Sequence, residues 1–443
     1  MVRRTPERTI RSLLDTDLYK LTMQAAVLDH YPDTLVSYSF KNRTPEMKLN
    51  QAAFDWLKEQ INLLGSLSFS PEEINYLRST VKQLPERYLV FLETLKLSPE
   101  DQVQVEYNPT TQDVKAKIEG LWVETILYEI PILALVSEAY FKFVETDWDY
   151  TSQEERAEAK ALELLDFGCA FSEFGTRRRR SFKAQELVMR GLVAGDVKYQ
   201  SSPAAKVGSG LRGTSNVYFA WKFGIPPIGT VAHEWMMGIA AVSQDYKNAN
   251  VQAMEKWRAT MGDANVGVAL TDTFGTDAFL NVFTPKLANI YVGVRQDSGD
   301  PLVFLDKIAK FYNEHGIDKS KKVVVFSDSL DVEACKKYKI ATEKAGMLCS
   351  FGVGTFFTND FHFLTPPHRK STPLNIVIKL SSANGKPAIK ISDNLGKNTG
   401  DKATVEKVKV ELGYIEREWA GGDEEKRWNE SDETASELSS YSI

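Results

Sequence analysis

Five times along this chain a short apolar run ends in a polar, glycine-bearing cluster: AFSEFGTRRRR (170–180), VGVALTDTFGTD (266–277), YVGVRQDSGD (291–300), VVVFSDSLD (323–331) and SFGVGTFFTND (350–360). Helix-like segments separate most of them. Strands alternating with helices predict a parallel sheet, and polar clusters at strand C-termini mark the end where α/β barrels keep their active sites. GTVAHEW (229–235) fits the same rhythm. Its Gly-Thr pair and β-branched Val follow the turn-rich FGIPPIG and read as a short strand that delivers His233 and Glu234 to its C-terminal end. The chain has only five histidines. An imidazole with a pKa near ~6.5 serves as ligand, base or phosphoryl acceptor at neutral pH. For this stretch alone, a His-Glu pair capping a helix from Trp235 weighs as much. The recurrence elsewhere tips the balance toward a site.

The flanks read differently. SLLDTDLYKLTMQAAVLDHY (12–31) predicts an amphipathic helix capped by Asp15, Thr16 or Asp17, with Tyr19 and Lys20 in its first turn. VSYSFKNR (36–43) alternates as a strand with one wet face, and VQVEY (103–107) with DVKAKIEG (113–120) reads as a hairpin. LYEIPILALVSEAYFKF (127–143) predicts a buried helix started or kinked at Pro131. After the βα region, LNIVIKLSS (374–382), the Asn384-Gly385 turn and KPAIKISDN (386–394) form the clearest hairpin signal in the chain. The expected organisation is an α/β sandwich domain split between 1–150 and 372–417, with an irregular, TIM-like α/β barrel at 151–371 inserted between its halves. The acidic, Ser-rich tail at 418–443 has too few apolar residues to order itself.

Composition removes several functions. A net charge of −6 argues against a general nucleic-acid binder, and no stretch approaches the ~18–20 uninterrupted apolar residues of a membrane-spanning helix. Cys169, Cys335 and Cys349 lack metal-ligand spacing, and their odd number suits a reducing compartment. The expected location is the cytoplasm, with the arginine run leaving the nucleus open as well.

TRRRRS (176–181) reads as a surface patch or, with twice the weight, as an anion site in which alternate guanidiniums enter the barrel mouth. GSGLRG (208–213) satisfies G-x-G-x-x-G but follows no convincing strand, so it is weak as a dinucleotide fingerprint. SFGVGTFF (350–357) ends in Gly352, Gly354 and Thr355, whose backbone amides suit a phosphate at a late barrel strand. Asp272, Asp297, Asp300 and Asp328 each follow a strand-like run. Singly they are helix caps; jointly they can orient Mg²⁺ and ribose hydroxyls, with Asp272 and Asp328 as the metal candidates.

With these residues in view, the chain resembles the nicotinate phosphoribosyltransferase family of type II phosphoribosyltransferases. The resemblance rests on DTDLYKLTM (15–23), FSEFGTRRRRS (171–181), GTSN (213–216), GTVAHEW, LTDTFGTD (270–277), GVRQDSGDP (293–301), FSDSLD (326–331), GVGTFFTND (352–360) and KISDNLGKN (390–398), in order. It implies a transferase using nicotinate, 5-phosphoribosyl 1-diphosphate, Mg²⁺ and ATP, with hydrolysis of ATP coupled through a phosphohistidine at His233. It further implies nicotinate contacts at Tyr19, Thr230 and Arg295 and a phosphoribosyl contact at Thr355. By analogy with the related nicotinamide enzymes, it implies stacking by Phe174 and a phosphate held by Arg177. Glu234 is expected to orient the imidazole. A nicotinamide or quinolinate transferase, another sugar-phosphate barrel enzyme and an RNA-binding protein using Arg177 to Arg180 are the alternatives. A monomer and a homodimer that shares Tyr19 across its interface both remain open.

Overall fold

The computed structural model describes residues 7–366, 369–394 and 397–415. The acidic tail therefore lies outside the described residues. Two sheets organise the rest. The strands, in chain order, are β1 (Leu35–Asn42), β2 (Val103–Tyr107), β3 (Val114–Leu121), β4 (Ala170–Glu173), β5 (Gly210–Thr214), β6 (Val268–Leu270), β7 (Gly293–Gln296), β8 (Val323–Phe326), β9 (Leu348–Val353), β10 (Ile376–Ala383) and β11 (Lys386–Pro387).

The antiparallel sheet has the order β11-β10-β1-β3-β2. At its centre β1 pairs with β10, from Val36 opposite Ala383 to Asn42 opposite Ile376, and with β3 on its other edge. Residues near both ends of the chain thus share one sheet. Val36 and Tyr38 point into the core while Leu35 and Ser39 face water, the period-two pattern of a half-buried strand. Asn384 and Gly385 both adopt positive φ (47° and 72°), as a two-residue hairpin turn requires.

The second arm of that hairpin departs from expectation. Only Lys386 and Pro387 pair; the chain then leaves the sheet, burying Ala388, Ile389 and Ile391. Ile391 N–H donates to the Thr273 carbonyl at 2.8 Å, so the segment read as a strand carries Lys390 and Asp393 to the other sheet.

That parallel sheet has the order β5-β4-β9-β8-β7-β6. Five of its strands, β4 and β6 to β9, fall in or overlap the apolar runs picked out above, and helices Gln153–Asp166, Phe182–Gln200, Pro301–Glu314 and Val332–Lys344 lie between strands in sequence. The fold is α/β, as expected. β5 is a surprise, because GLRGT carries a single large apolar residue. It is held by register with β4 and by close packing: a Cβ on Gly213 would lie 1.9 Å from the Pro226 carbonyl oxygen. The glycines of GSGLRG therefore serve backbone contact, not a dinucleotide turn.

GTVAHEW is not a strand either. Pro226 and Pro227 lack the N–H groups a ladder needs, and a single parallel bridge, Thr214 to Pro227, is all that forms. Residues 229–232 run without regular structure, and a helix begins at His233 itself (His233–Ser243). Gly229 makes this path possible. It passes over the start of helix Leu18–His30, where a Cβ would meet Tyr19 N at 3.1 Å. That helix is pinned to the parallel sheet by Leu18 N–H donating to the Ser215 carbonyl (2.8 Å) and to the β3 end by Gln24 donating to the Val123 carbonyl (2.6 Å). No described helix is long and apolar enough to cross a membrane.

Candidate active site

The C-terminal ends of β4 and β6 to β9 are followed by Phe174, by Asp272 and Thr273, by Asp297, by Ser327 and Asp328, and by Gly354 and Thr355; Arg295 lies near the end of β7 itself. His233 is set among these ends. Its Nδ1 lies 2.9 Å from Thr273 Oγ1 and its Nε2 2.8 Å from Asp297 Oδ2 and 2.9 Å from Lys390 Nζ. Lys390 also pairs with Asp272 Oδ2 at 3.1 Å, and Asp272 accepts from Ser298 Oγ at 2.5 Å.

Burial, then the ammonium of Lys390, drives the His233 pKa down to about 4, against the pull of Asp272 and Asp297. At neutral pH the ring is uncharged and keeps one nitrogen lone pair. An NMR titration should therefore show the His233 ring resonances constant between about pH 5.5 and 8, with acidification felt only toward pH 4. A midpoint near ~6.5 for this ring would show that Asp272 and Asp297 offset burial and the lysine, and would contradict a ring kept uncharged well below neutrality.

Arg295 frames the neighbouring wall. Its guanidinium donates to Ser327 Oγ (2.9 Å), Thr230 Oγ1 (2.9 Å) and Asp297 Oδ1 (2.8 Å). Burial alone would raise Asp297, but Arg295, His233 and Lys390 together hold its carboxyl well below the usual range. Ser327 and the Phe174 ring both lie beside Gly352: a Cβ there would sit 3.4 Å from the ring and 3.6 Å from Ser327 Cβ. Gly354 passes close to the Phe174 carbonyl, where a Cβ would sit 3.1 Å from the oxygen. Tyr19, from the same chain, is buried among Glu129, Arg177, Asp17 and Arg295; burial, then Glu129, raises its hydroxyl well above the ordinary range.

The four arginines part company. Arg179 and Arg180 have side chains with no exposure at all. Arg179 forks onto Asp15 at 2.7 and 2.8 Å; Arg180 donates to Glu145 and Ser371 and stacks on Phe141. Arg178 donates to the Ile376 carbonyl and to Asn375. Arg177 keeps 41% of its side chain exposed, with its Nη1 3.8 Å from Glu129 Oε1. Alternation does not aim these guanidiniums at the mouth, and a run with two members sealed in the core is not a surface patch.

Two further expectations change. Glu234 does not orient the imidazole. Adjacent residues on a helix point about 100° apart, and its carboxylate turns away to accept from Tyr38 Oη (2.6 Å), Trp122 Nε1 (2.8 Å) and Lys20. Thr273, Asp297 and Lys390 hold the ring instead. The metal pair is split as well: Asp272 carries Lys390 and Asp328 carries Lys397 (2.5 Å). His233, Asp272 and Asp297 are the group whose donor atoms converge, within 4.8 Å of one another.

Lys390, Lys20 and Glu129 were missed. For Lys20 a signal existed, since a lysine inside a helix as apolar as LYKLTMQAAVL is buried only with a partner. For Lys390 the signal was its place at the head of KISDNLGKN, because its segment otherwise reads as an ordinary strand.

Known proteins match most of this chain. The model of the nicotinate phosphoribosyltransferase (NAPRTase) family matches residues 169–416, and that of the NAPRTase N-terminal domain matches residues 14–137. A nicotinate phosphoribosyltransferase of Saccharomyces cerevisiae is 52% identical over 95% of this chain and 99% of its own length. A crystal structure from that yeast superposes with a TM-score of 0.90 at 51% identity, covering 93% of this chain and all of the other. The crystal structure of nicotinate phosphoribosyltransferase from Porphyromonas gingivalis superposes with 0.82 at 32% identity, covering 91% and 100%. On these matches, which span both sheets and the residues around His233, the chain belongs to the nicotinate phosphoribosyltransferase family.

Proposed function

We propose that this protein joins nicotinate to 5-phosphoribosyl 1-diphosphate, releasing diphosphate, and that ATP hydrolysis is coupled to the transfer through phosphorylation of His233, in NAD biosynthesis by salvage. The observation that carries the reading is an uncharged imidazole held between Thr273, Asp297 and Lys390 at the first residue of a helix. A neutral nitrogen attacks the γ-phosphorus of ATP as its bond to ADP breaks. The phosphoryl group so placed gains the ammonium of Lys390 and the unpaired N–H groups and dipole of the helix start.

In the transfer step the bond from ribose C1 to the diphosphate oxygen breaks and the pyridine nitrogen bonds to C1. The ring gains positive charge and the leaving group negative charge, so the protein orients one and stabilises the other. Arg295 pairs with the nicotinate carboxylate, Phe174 stacks on the pyridine, and Tyr19 and Thr230 border it. Asp297 faces the ribose, Gly354 and Thr355 the phosphoribosyl phosphate, and Arg177 an anionic group. Asp272 Oδ1 is buried without a hydrogen-bond partner, which suits one carboxylate oxygen for Mg²⁺; Mg²⁺ takes few protein ligands and shares substrate phosphates. Bound there with diphosphate, it would neutralise the leaving group.

A single guanidinium matches a pyridine with one carboxylate better than nicotinamide, which has none, or quinolinate, which has two. A product assay with each pyridine, the diphosphate sugar and Mg²⁺, with and without ATP, should give mononucleotide from nicotinate and faster turnover with ATP. Preference for either other pyridine would reassign the slot.

A further inference from the structure

Lys20 has no exposed side-chain surface, and a buried ammonium is tolerated only when paired. Its partners are Glu129 Oε2, at 2.5 Å, and Glu234. These carboxylates differ in what else they hold. Glu234 keeps two neutral donors, Tyr38 and Trp122, whatever becomes of Lys20. Among the described residues, Glu129 has no such neutral donor. The other cations facing it are Arg177, whose Nη1 stands 3.8 Å from Oε1, and Lys379. Arg177 is thus beyond hydrogen-bonding distance of Glu129, and nearly half of its side chain is open.

From this we infer that Lys20 is a positioning residue for the transfer: by holding Glu129 in contact, it keeps that carboxylate from closing on Arg177 and leaves the guanidinium free for an anionic group of the phosphoribosyl donor. The inference rests on the reading of Arg177 given above. Its physical basis is competition. A carboxylate deprived of its ammonium in a site of low polarity takes the nearest cation, and a guanidinium engaged in a contact ion pair offers fewer donors to a phosphate. Lys20 sits one residue from Tyr19 on the same helix and pairs with Glu234, the residue after His233.

The test is initial-rate kinetics on Lys20→Met, Glu129→Gln, the double variant and Arg177→Ala, with thermal midpoints measured alongside. Lys20→Met should raise KM for the phosphoribosyl donor about tenfold, with KM for nicotinate changed less than about threefold. Adding Glu129→Gln should return the donor KM to within about threefold of the parent, because no carboxylate remains to capture Arg177. A merely structural role would raise both KM values with the fall in midpoint and would not be relieved in this way. If Lys20→Met does not fold, Glu129→Gln alone decides: an unchanged or lower donor KM supports the inference and a tenfold higher one overturns it. Failure of the double variant to recover donor binding overturns it too. Arg177→Ala separates the two levels: an unmoved donor KM removes the assignment of Arg177 itself, whereas a raised one beside an unaffected Lys20→Met removes only the role of Lys20.

Discussion

Arg295→Ala is expected to raise KM for nicotinate roughly ten- to a hundredfold, the ~1.5–3 kcal/mol that a charged hydrogen-bonding partner contributes, while KM for the phosphoribosyl donor moves less than about threefold. The guanidinium lies near the C-terminal end of β7, with its fork spread over Thr230, Ser327 and Asp297, and the Phe174 ring shares the Gly352 neighbourhood with Ser327. A carboxylate entering that slot meets an arginine already fixed in orientation, so little side-chain entropy is lost on binding. Arg295→Lys should recover only part of the loss, since an ammonium lacks the planar fork that spans Thr230, Ser327 and Asp297 and pairs with a carboxylate in bidentate fashion. Asp297 keeps His233 and Ser327 as partners in either variant, which is why the donor side is expected to survive. Varying each substrate at saturation of the other measures both constants. Equal losses for the two would place the diphosphate, not the pyridine carboxylate, on Arg295.

How far the sequence led is clearest in particular segments. β6 to β9 were legible because their short apolar runs are buried strands and their Gly- and Asp-rich ends mark the functional edge of a parallel sheet. The pairing of residues near both ends of the chain followed from the alternation of β1 and the Asn384-Gly385 turn. β5 was invisible, because GLRGT is a strand only by virtue of β4 beside it and Pro226 against Gly213. GTVAHEW misled in a specific way: Gly-Thr-Val favours a strand locally, yet the two preceding prolines deny it a ladder, and the helix starts two residues earlier than a Trp235 start would have it.

From that shift came the error over Glu234. His233 is near the sheet ends and its neighbour is turned a hundred degrees away, into a cluster of Tyr38, Trp122 and Lys20 drawn from three distant parts of the chain. Tertiary partners of this kind leave no mark on local spacing. The arginine run shows the same limit. Four identical letters conceal a fork on Asp15, a stack on Phe141, a clamp on Asn375 and a partly open side chain facing Glu129.

His233→Asn has the largest expected effect, since it removes the proposed phosphoryl acceptor outright. Asparagine keeps a polar group near Thr273 and Asp297, so the surrounding network should hold and the pyridine wall of Arg295 and Phe174 should still bind substrate. The variant is expected to lose all stimulation by ATP and to retain a slow, ATP-independent transfer. The direct measurement is incubation of both proteins with γ-labelled ATP, followed by acid and base treatment of the labelled chain. The parent should carry an acid-labile, base-stable label and His233→Asn none; a variant that still takes up that label, or that keeps full ATP-stimulated turnover, would contradict the assignment of His233 as the phosphoryl acceptor.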